Sequence, residues 1–301
     1  MSTPQIRLFA AVAALSLLAA GCGCSTAPPP LPTGTTTQTL TVQGTQRTYR
    51  LTMPAAARQA PAGSVTLVIG LHGGLGSGSQ FASATKFPEL ANEQGFVFAA
   101  PDGLSLPSAL GSSIRTWNAG RCCGPAQRDR VDDVGSIASL IVELRSRTPS
   151  IGKVAIVGHS NGAMLAWRVA CEAPALASVY VPVAGSFEGT QGCATASGTS
   201  LLAIHGDADE NHPIDGGVGP KSLAGVDFRS MDSSLSTWRT ARGCSGSGTT
   251  RTSGALRSTT WSCSKATTRY TIIADAPHPW PATPATAMDA TEVAWDFIDA
   301  H

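Results

Sequence analysis

The sequence predicts an α/β fold: a single domain on a mostly parallel sheet, with helices on both faces. Three observations lead there. Short β-branched and small apolar runs (65–69, 96–100, 154–157, 179–183, 201–204 and 269–273) alternate with longer helix-like segments, as βαβ units do. Several of these runs are apolar throughout rather than alternating, as in strands covered on both sides. The third is Gly158-His159-Ser160-Asn161-Gly162, set between one such run and the helix-like segment 163–171. A serine flanked by glycines at that place sits on a sharp, strained strand-to-helix turn with its hydroxyl pushed above the sheet.

The 301-residue chain is 42% hydrophobic and 14% charged, so it can build a large core. A net charge of +1, with no dense Lys/Arg run, argues against an electrostatic nucleic-acid surface. There is no zinc-type Cys/His cluster; neither a metal nor a cofactor is expected.

In chain order, residues 1–21 read as a signal peptide. Arg7 precedes an apolar run from Leu8 to Ala20, too short to span a bilayer. Ala19, Ala20 and Gly21 before Cys22 resemble a bacterial lipobox, with Ala19 where a large aliphatic residue is usual, so Cys22 is the expected lipid attachment point and membrane anchor, with plain cleavage and secretion as the alternative; the chain is expected outside the cell or anchored in its envelope. Residues 22–37, rich in Pro and Thr, read as a tether, which leaves 38–301 as the catalytic domain. Beyond Cys22 and Cys24, six cysteines remain, an even set that suggests disulfides in an exported chain. Cys171–Cys193 and Cys244–Cys263 are the expected pairs, because each flanks one loop-rich excursion. The adjacent Cys122 and Cys123 either pair with each other or stay apart.

Segments 39–42 and 47–51 alternate around Gln43-Gly44, a hairpin pattern. The strand at 65–69 runs into Leu71-His72-Gly73-Gly74-Leu75-Gly76, a loop suited to close backbone approach to a ligand. Its Gly74 or Leu75 amide is expected to supply one oxyanion N–H, and Asn161, opening the helix after the serine, the other. His72 reads as a loop brace. One helix is expected over 81–92. Segment 104–130 lacks periodicity and is expected at the site rim, with Trp117 and Asn118 as substrate contacts or as parts of a stapled surface loop. Asp132 reads as the cap of a helix running to residue 145. A Gly/Ser/Thr-rich excursion spans 244–263, and a last helix 286–300.

Ser160, the acids after Ile204 and His278 all fall just past the carboxyl ends of expected strands, in the order Ser, Asp, His, which is the α/β-hydrolase order. His278 would take the serine proton and a carboxylate would hold the imidazole. Asp209 is preferred to Asp207, which then braces the loop. The side chain of His159 is expected to face away. Trp280, with Trp117, can stack on an aromatic acid or a sugar.

Gly158 to Met164, Trp117-Asn118-Ala119-Gly120 with Cys122-Cys123-Gly124, Val131-Asp132-Asp133-Val134, His205-Gly206 with Ala208-Asp209, and His278 with Trp280-Pro281 together resemble the polyhydroxybutyrate depolymerase/feruloyl esterase family. That family includes exported lipoprotein esterases of the LpqC type. The resemblance covers about residues 37–301. It implies Ser160 as nucleophile, Asp209 as acid and His278 as base, and an ester substrate: a short-chain polyester, or a feruloyl or acetyl ester of plant polysaccharide. Asp207 stands where Thr is common, and Asp275-Ala276-Pro277 replaces the usual glycines. A serine peptidase of the same fold and a non-catalytic binding protein are the competing readings.

Overall fold

The computed structural model describes residues 29–107 and 113–301. The signal-peptide segment and the first part of the tether, with Cys22 and Cys24, lie outside them. A hairpin of β1 (Gly34–Val42) and β2 (Thr45–Met53) comes first, then the short α1 (Ala55–Gln59) and β3 (Val65–Leu71). Helices α2 (Gly78–Thr85) and α3 (Phe87–Gln94) lead to β4 (Val97–Pro101). A small separate pair, β5 (Ser105–Pro107) and β6 (Ser113–Arg115), and α4 (Gly124–Arg128) precede α5 (Asp133–Arg147). Then follow β7 (Ile151–His159), α6 (Asn161–Glu172), β8 (Val179–Val183), β9 (Ser200–Gly206) and α7 (Met231–Ala241). The remaining elements are β10 (Thr249–Ser253), β11 (Leu256–Cys263), β12 (Ala266–Ile273) and α8 (Ala290–Ala300).

One 10-stranded sheet has the order β1-β2-β4-β3-β7-β8-β9-β12-β11-β10. Its middle, β4-β3-β7-β8-β9-β12, is parallel, and both flanks are antiparallel. Parallel strands need helical crossovers, which cover both faces. Side chains of β7 divide accordingly: Ile156 packs with Trp167 and Trp238 on one face, while Ala155 and Val157 pack with Phe81, Phe98 and Trp295 on the other. Helix α5 buries Ile137, Leu140, Ile141 and Leu144, a single stripe at helical spacing, and Asp132 caps it by accepting from the Gly135 amide.

Register sets the site. Leu71 pairs with Gly158, His159 with Val183, and Ile273 with Gly206. The carboxyl ends of β3, β7, β9 and β12 therefore share one edge of the sheet, and the loops that follow them meet there.

Four expectations need correction. The folded unit reaches into the segment read as tether: β1 starts at Gly34 and Leu31 is buried. Its Thr-rich strand has one solvated face and so lacks an apolar run. The helix expected over 81–92 is two helices, broken at Lys86 (φ 58°), with Pro88 in the first turn of the second. The excursion 244–263 is largely sheet, since β10 and β11 extend the flank antiparallel. The final helix starts at Ala290, capped by Asp289, whose carboxylate accepts from Thr291 and Glu292. Cysteines 171 and 193, 244 and 263, and 122 and 123 are paired.

Candidate active site

Ser160 has φ 54° and ψ −121°, in the region a non-glycine residue seldom enters. Its neighbours make the turn possible. A Cβ on Gly158 would collide with the Gly162 carbonyl, and one on Gly162 with the Leu71 carbonyl. Strand, turn and helix therefore pass in contact only because both positions are glycine. The Ser160 amide donates to the Val183 carbonyl at 2.9 Å, which ties the turn to β8.

Ser160 Oγ lies 2.8 Å from His278 Nε2, and His278 Nδ1 lies 2.7 Å from Asp209 Oδ2. The carboxylate can only accept here, so Nδ1 carries the proton and Nε2 is left to accept from the serine. Asp209 is held from behind: its Oδ1 accepts from the amides of Asn211 (2.9 Å) and His212 (2.8 Å). Burial pushes the Asp209 carboxyl up, but its hydrogen bond to His278, that ring's charge and the His212 amide outweigh burial and leave it below the ordinary carboxylate value. Asp207 is placed differently. Its Oδ1 accepts from the Asp275 amide at 2.7 Å, bracing the loop that carries His278.

Four other histidines surround this line. His72 is buried, accepts from the Gly103 amide at Nε2 (2.9 Å) and bonds the Gly73 carbonyl at Nδ1 (2.7 Å), which makes it a brace of the glycine loop. His212 contacts Ser186, and His205 contacts the His212 carbonyl. His205 also lies 3.5 Å from Asp209, but burial favours its neutral form, so this contact is not an ion pair. Burial lowers the pKa of His72 to about 4 and of His212 to about 3.

The fourth, His159, is a correction. Its side chain does not face away. Nε2 bonds the main-chain carbonyl of His278 at 2.9 Å, and the two ring centroids are 5.1 Å apart. Nothing in the local pattern around residue 159 signals this, because the partner is 119 residues distant.

Of the two amides expected at the oxyanion position, that of Leu75 donates to the Arg115 carbonyl at 2.8 Å and is already used. The Gly74 amide has no acceptor among the described residues. Asn161 opens α6, where free N–H groups and the helix dipole favour negative charge. Its side chain clamps Trp117, accepting from the Trp117 amide (2.6 Å) and donating to the Trp117 carbonyl (3.0 Å).

That clamp also corrects the rim residues. Trp117 is fully buried, its Nε1 donates to the His72 carbonyl at 2.8 Å, and it cannot meet a substrate. Asn118 is buried too, with its side chain on Val131 and Gly120 and its amide on Asp133. Asp133 in turn pairs with Arg47 at 2.8 Å, so the Val131-Asp132-Asp133-Val134 stretch fixes the backbone that Asn161 grips. Trp280, by contrast, lines a cavity of about 210 Å³ with His72, Gly73, Gly74, Phe81 and His159. Its edge packs on Phe81 and Phe87, and Nε1 donates to Thr291.

Among the described residues, no group of three or more His, Cys, Asp or Glu is placed to hold a metal ion, and no helix is long and apolar enough to cross a membrane.

No protein-family model matches the chain, and no curated protein matches it. Solved structures do. An acetyl xylan esterase from Aspergillus awamori is 15% identical, with 88% of this chain and 100% of that one covered and a TM-score of 0.62. A thermostable esterase is 14% identical over 88% of this chain and 62% of its own, with a TM-score of 0.54. A predicted CIB-like hydrolase from Thermoplasma acidophilum is 15% identical over 90% of this chain and all of its own, with a TM-score of 0.51. At such identities the likeness is one of fold, and together with the strand order it establishes that the chain has the α/β-hydrolase fold.

Proposed function

We propose that the protein is a serine carboxylic-ester hydrolase. The observation that carries this reading is the unbroken line from Ser160 Oγ through His278 to Asp209 Oδ2, at 2.8 and 2.7 Å, on the strand edge where this fold binds ligands. Ser160 attacks the ester carbonyl while His278 takes its proton. The oxyanion is received by the amides of Asn161 and Gly74, and His278 returns the proton to the leaving alcohol. Water then releases the acyl group by the same route. Asp209 keeps the imidazole in the working tautomer and stabilises its cation.

The motifs resembling polyhydroxybutyrate depolymerases favour a short-chain polyester or a small ester as substrate. A feruloyl or acetyl ester of polysaccharide is the second reading, favoured by the Trp280 wall of the cavity and by the acetyl xylan esterase that shares the fold. A fluorophosphonate probe is expected to label Ser160, which a binding protein would not allow. A panel of p-nitrophenyl acetate, p-nitrophenyl butyrate, methyl ferulate and a 3-hydroxybutyrate oligomer then selects the substrate. No labelling and no turnover of any of the four would sink the reading.

The paired cysteines support export, and the segment before Cys22 supports anchoring in the cell envelope. Cells fed a radioactive fatty acid are expected to label the wild-type chain and not Cys22→Ala. Label that survives the substitution would remove Cys22 as the site.

A further inference from the structure

We propose that His159 is a positioning residue that holds His278 in register with Ser160, through the hydrogen bond from its Nε2 to the His278 main-chain carbonyl. The inference rests on the esterase reading above and concerns how the same site is kept assembled.

The loop carrying His278 has little else to hold its backbone. Pro277 and Pro279 flank the histidine and have no N–H to donate. Among the described residues, the backbone from Pro277 to Trp280 makes one hydrogen bond, the 2.9 Å contact to His159. The anchors on either side lie further out: the Ala276 carbonyl accepts from the Ala208 amide, and the Pro281 carbonyl accepts from the Ala290 amide.

His159 suits this task by its place in the chain. It is the last residue of β7, in register with Val183 of β8, so the sheet fixes its backbone. It also directly precedes Ser160. A strut from residue 159 to residue 278 therefore fixes the distance that proton transfer depends on.

Chemistry settles the donor. A carbonyl oxygen only accepts, so Nε2 must carry the hydrogen. Burial, the first cause, and the nearby His278 charge lower the His159 pKa to about 4, so the neutral ring keeps this one proton and leaves Nδ1 bare. That nitrogen faces the glycine loop: a Cβ built on Gly73 would lie 3.3 Å from it and 3.4 Å from Ser160 Cβ. The ring fills the gap between the glycine loop and the histidine loop, with Trp280 set edge-on at 6.1 Å.

The test uses three variants of the full chain, assayed for kcat and KM on p-nitrophenyl acetate and for the rate of fluorophosphonate labelling. His159→Leu removes the donor. It is expected to lower kcat and the labelling rate by about 10- to 100-fold, with KM within about threefold, because misplacement rather than binding is the fault. His159→Gln keeps a donor of similar reach and is expected to recover to within about fivefold of wild type. His159→Phe keeps the ring volume without the donor; it should match the Leu variant, and it replaces that variant if Leu does not fold.

Leu and Phe variants within threefold of wild type would overturn the proposal. So would a Gln variant as impaired as Leu, since ring packing would then be the whole effect. The esterase reading fails separately, by a wild type as active as its Ser160→Ala variant. Turnover that needs Ser160 but ignores residue 159 refutes this inference alone.

Discussion

The Ser160→Ala variant is expected to lose about four to six orders of magnitude in kcat on p-nitrophenyl esters, with KM nearly unchanged. Alanine removes the atom that His278 Nε2 contacts at 2.8 Å and leaves the rest of the turn in place. Alanine keeps the Cβ and hence the same backbone strain at φ 54°, so Tm should hold. Asp209→Asn is expected to cost about 10⁴ in kcat. An amide facing Nδ1 can present its own N–H, which turns the imidazole to the tautomer with the proton on Nε2, where it cannot accept from serine. The double variant should be hardly worse than Ser160→Ala, because residues acting as one unit do not add.

Asp207→Asn supplies the contrast. Its bond accepts the Asp275 amide, an acceptance an Asn oxygen retains, so activity should stay within about threefold of wild type. Loss in Asp207→Asn with retention in Asp209→Asn would exchange the two roles. Equal hydrolysis by wild type and Ser160→Ala would sink the mechanism altogether.

How far these residues could be read from sequence follows from how local their signals are. Ser160 directly follows β7, Asp209 and His278 lie within a few residues of the ends of β9 and β12, and their chain order is itself a constraint, so their convergence was legible. The cap at Asp132 and the glycines at 158 and 162 were legible for the same reason, since turn and cap chemistry acts over a few residues. What failed was long-range. Trp117 looked like a rim aromatic, and only the Asn161 clamp, 44 residues away in sequence, shows why it is buried. The roles of His159 and of the Leu75 amide depend on carbonyls in other loops. The first half of β1 and the strands β10 and β11 were missed because strands toward the sheet edges carry Thr, Ser and Gly where inner strands carry Val and Ile. The break at Lys86 did have a local signal, Pro88, which also marks a new first turn.

Acid should unfold this protein early. His72, His205 and His212 are fully buried and neutral, and the folded state holds their pKa below the ordinary 6.5, to about 4 for His72 and about 3 for His212. Above pH 6.5 these rings are neutral in both the folded and the unfolded chain, and they cost nothing. Below it the unfolded chain takes up protons that the folded chain refuses, so stability falls with pH until the folded values are reached. Each such histidine contributes about 1.4 kcal/mol per pH unit in that window. Over the step from pH 6.5 to 5, the three held at about 4 or below, His72, His159 and His212, remove about 5 kcal/mol, a large part of what a domain has, and His205 acts in the same direction. Asp209 acts in the same direction at lower pH. Its carboxyl is depressed, so its stabilisation is present above the unfolded value of 3.8 and disappears as pH falls through the folded one. Thermal unfolding is therefore expected to drop by about 10–25 °C between pH 7 and pH 5. Unfolding at pH 5 should be accompanied by uptake of about three protons, by His72, His159 and His212, plus any that His205 takes up. A Tm constant to within about 3 °C across that range would show that these rings are not held neutral. His212→Asn, if it folds, should flatten the slope by about a quarter to a third, because one of these proton acceptors is gone from the unfolded chain while the Ser186 contact can be kept by an amide.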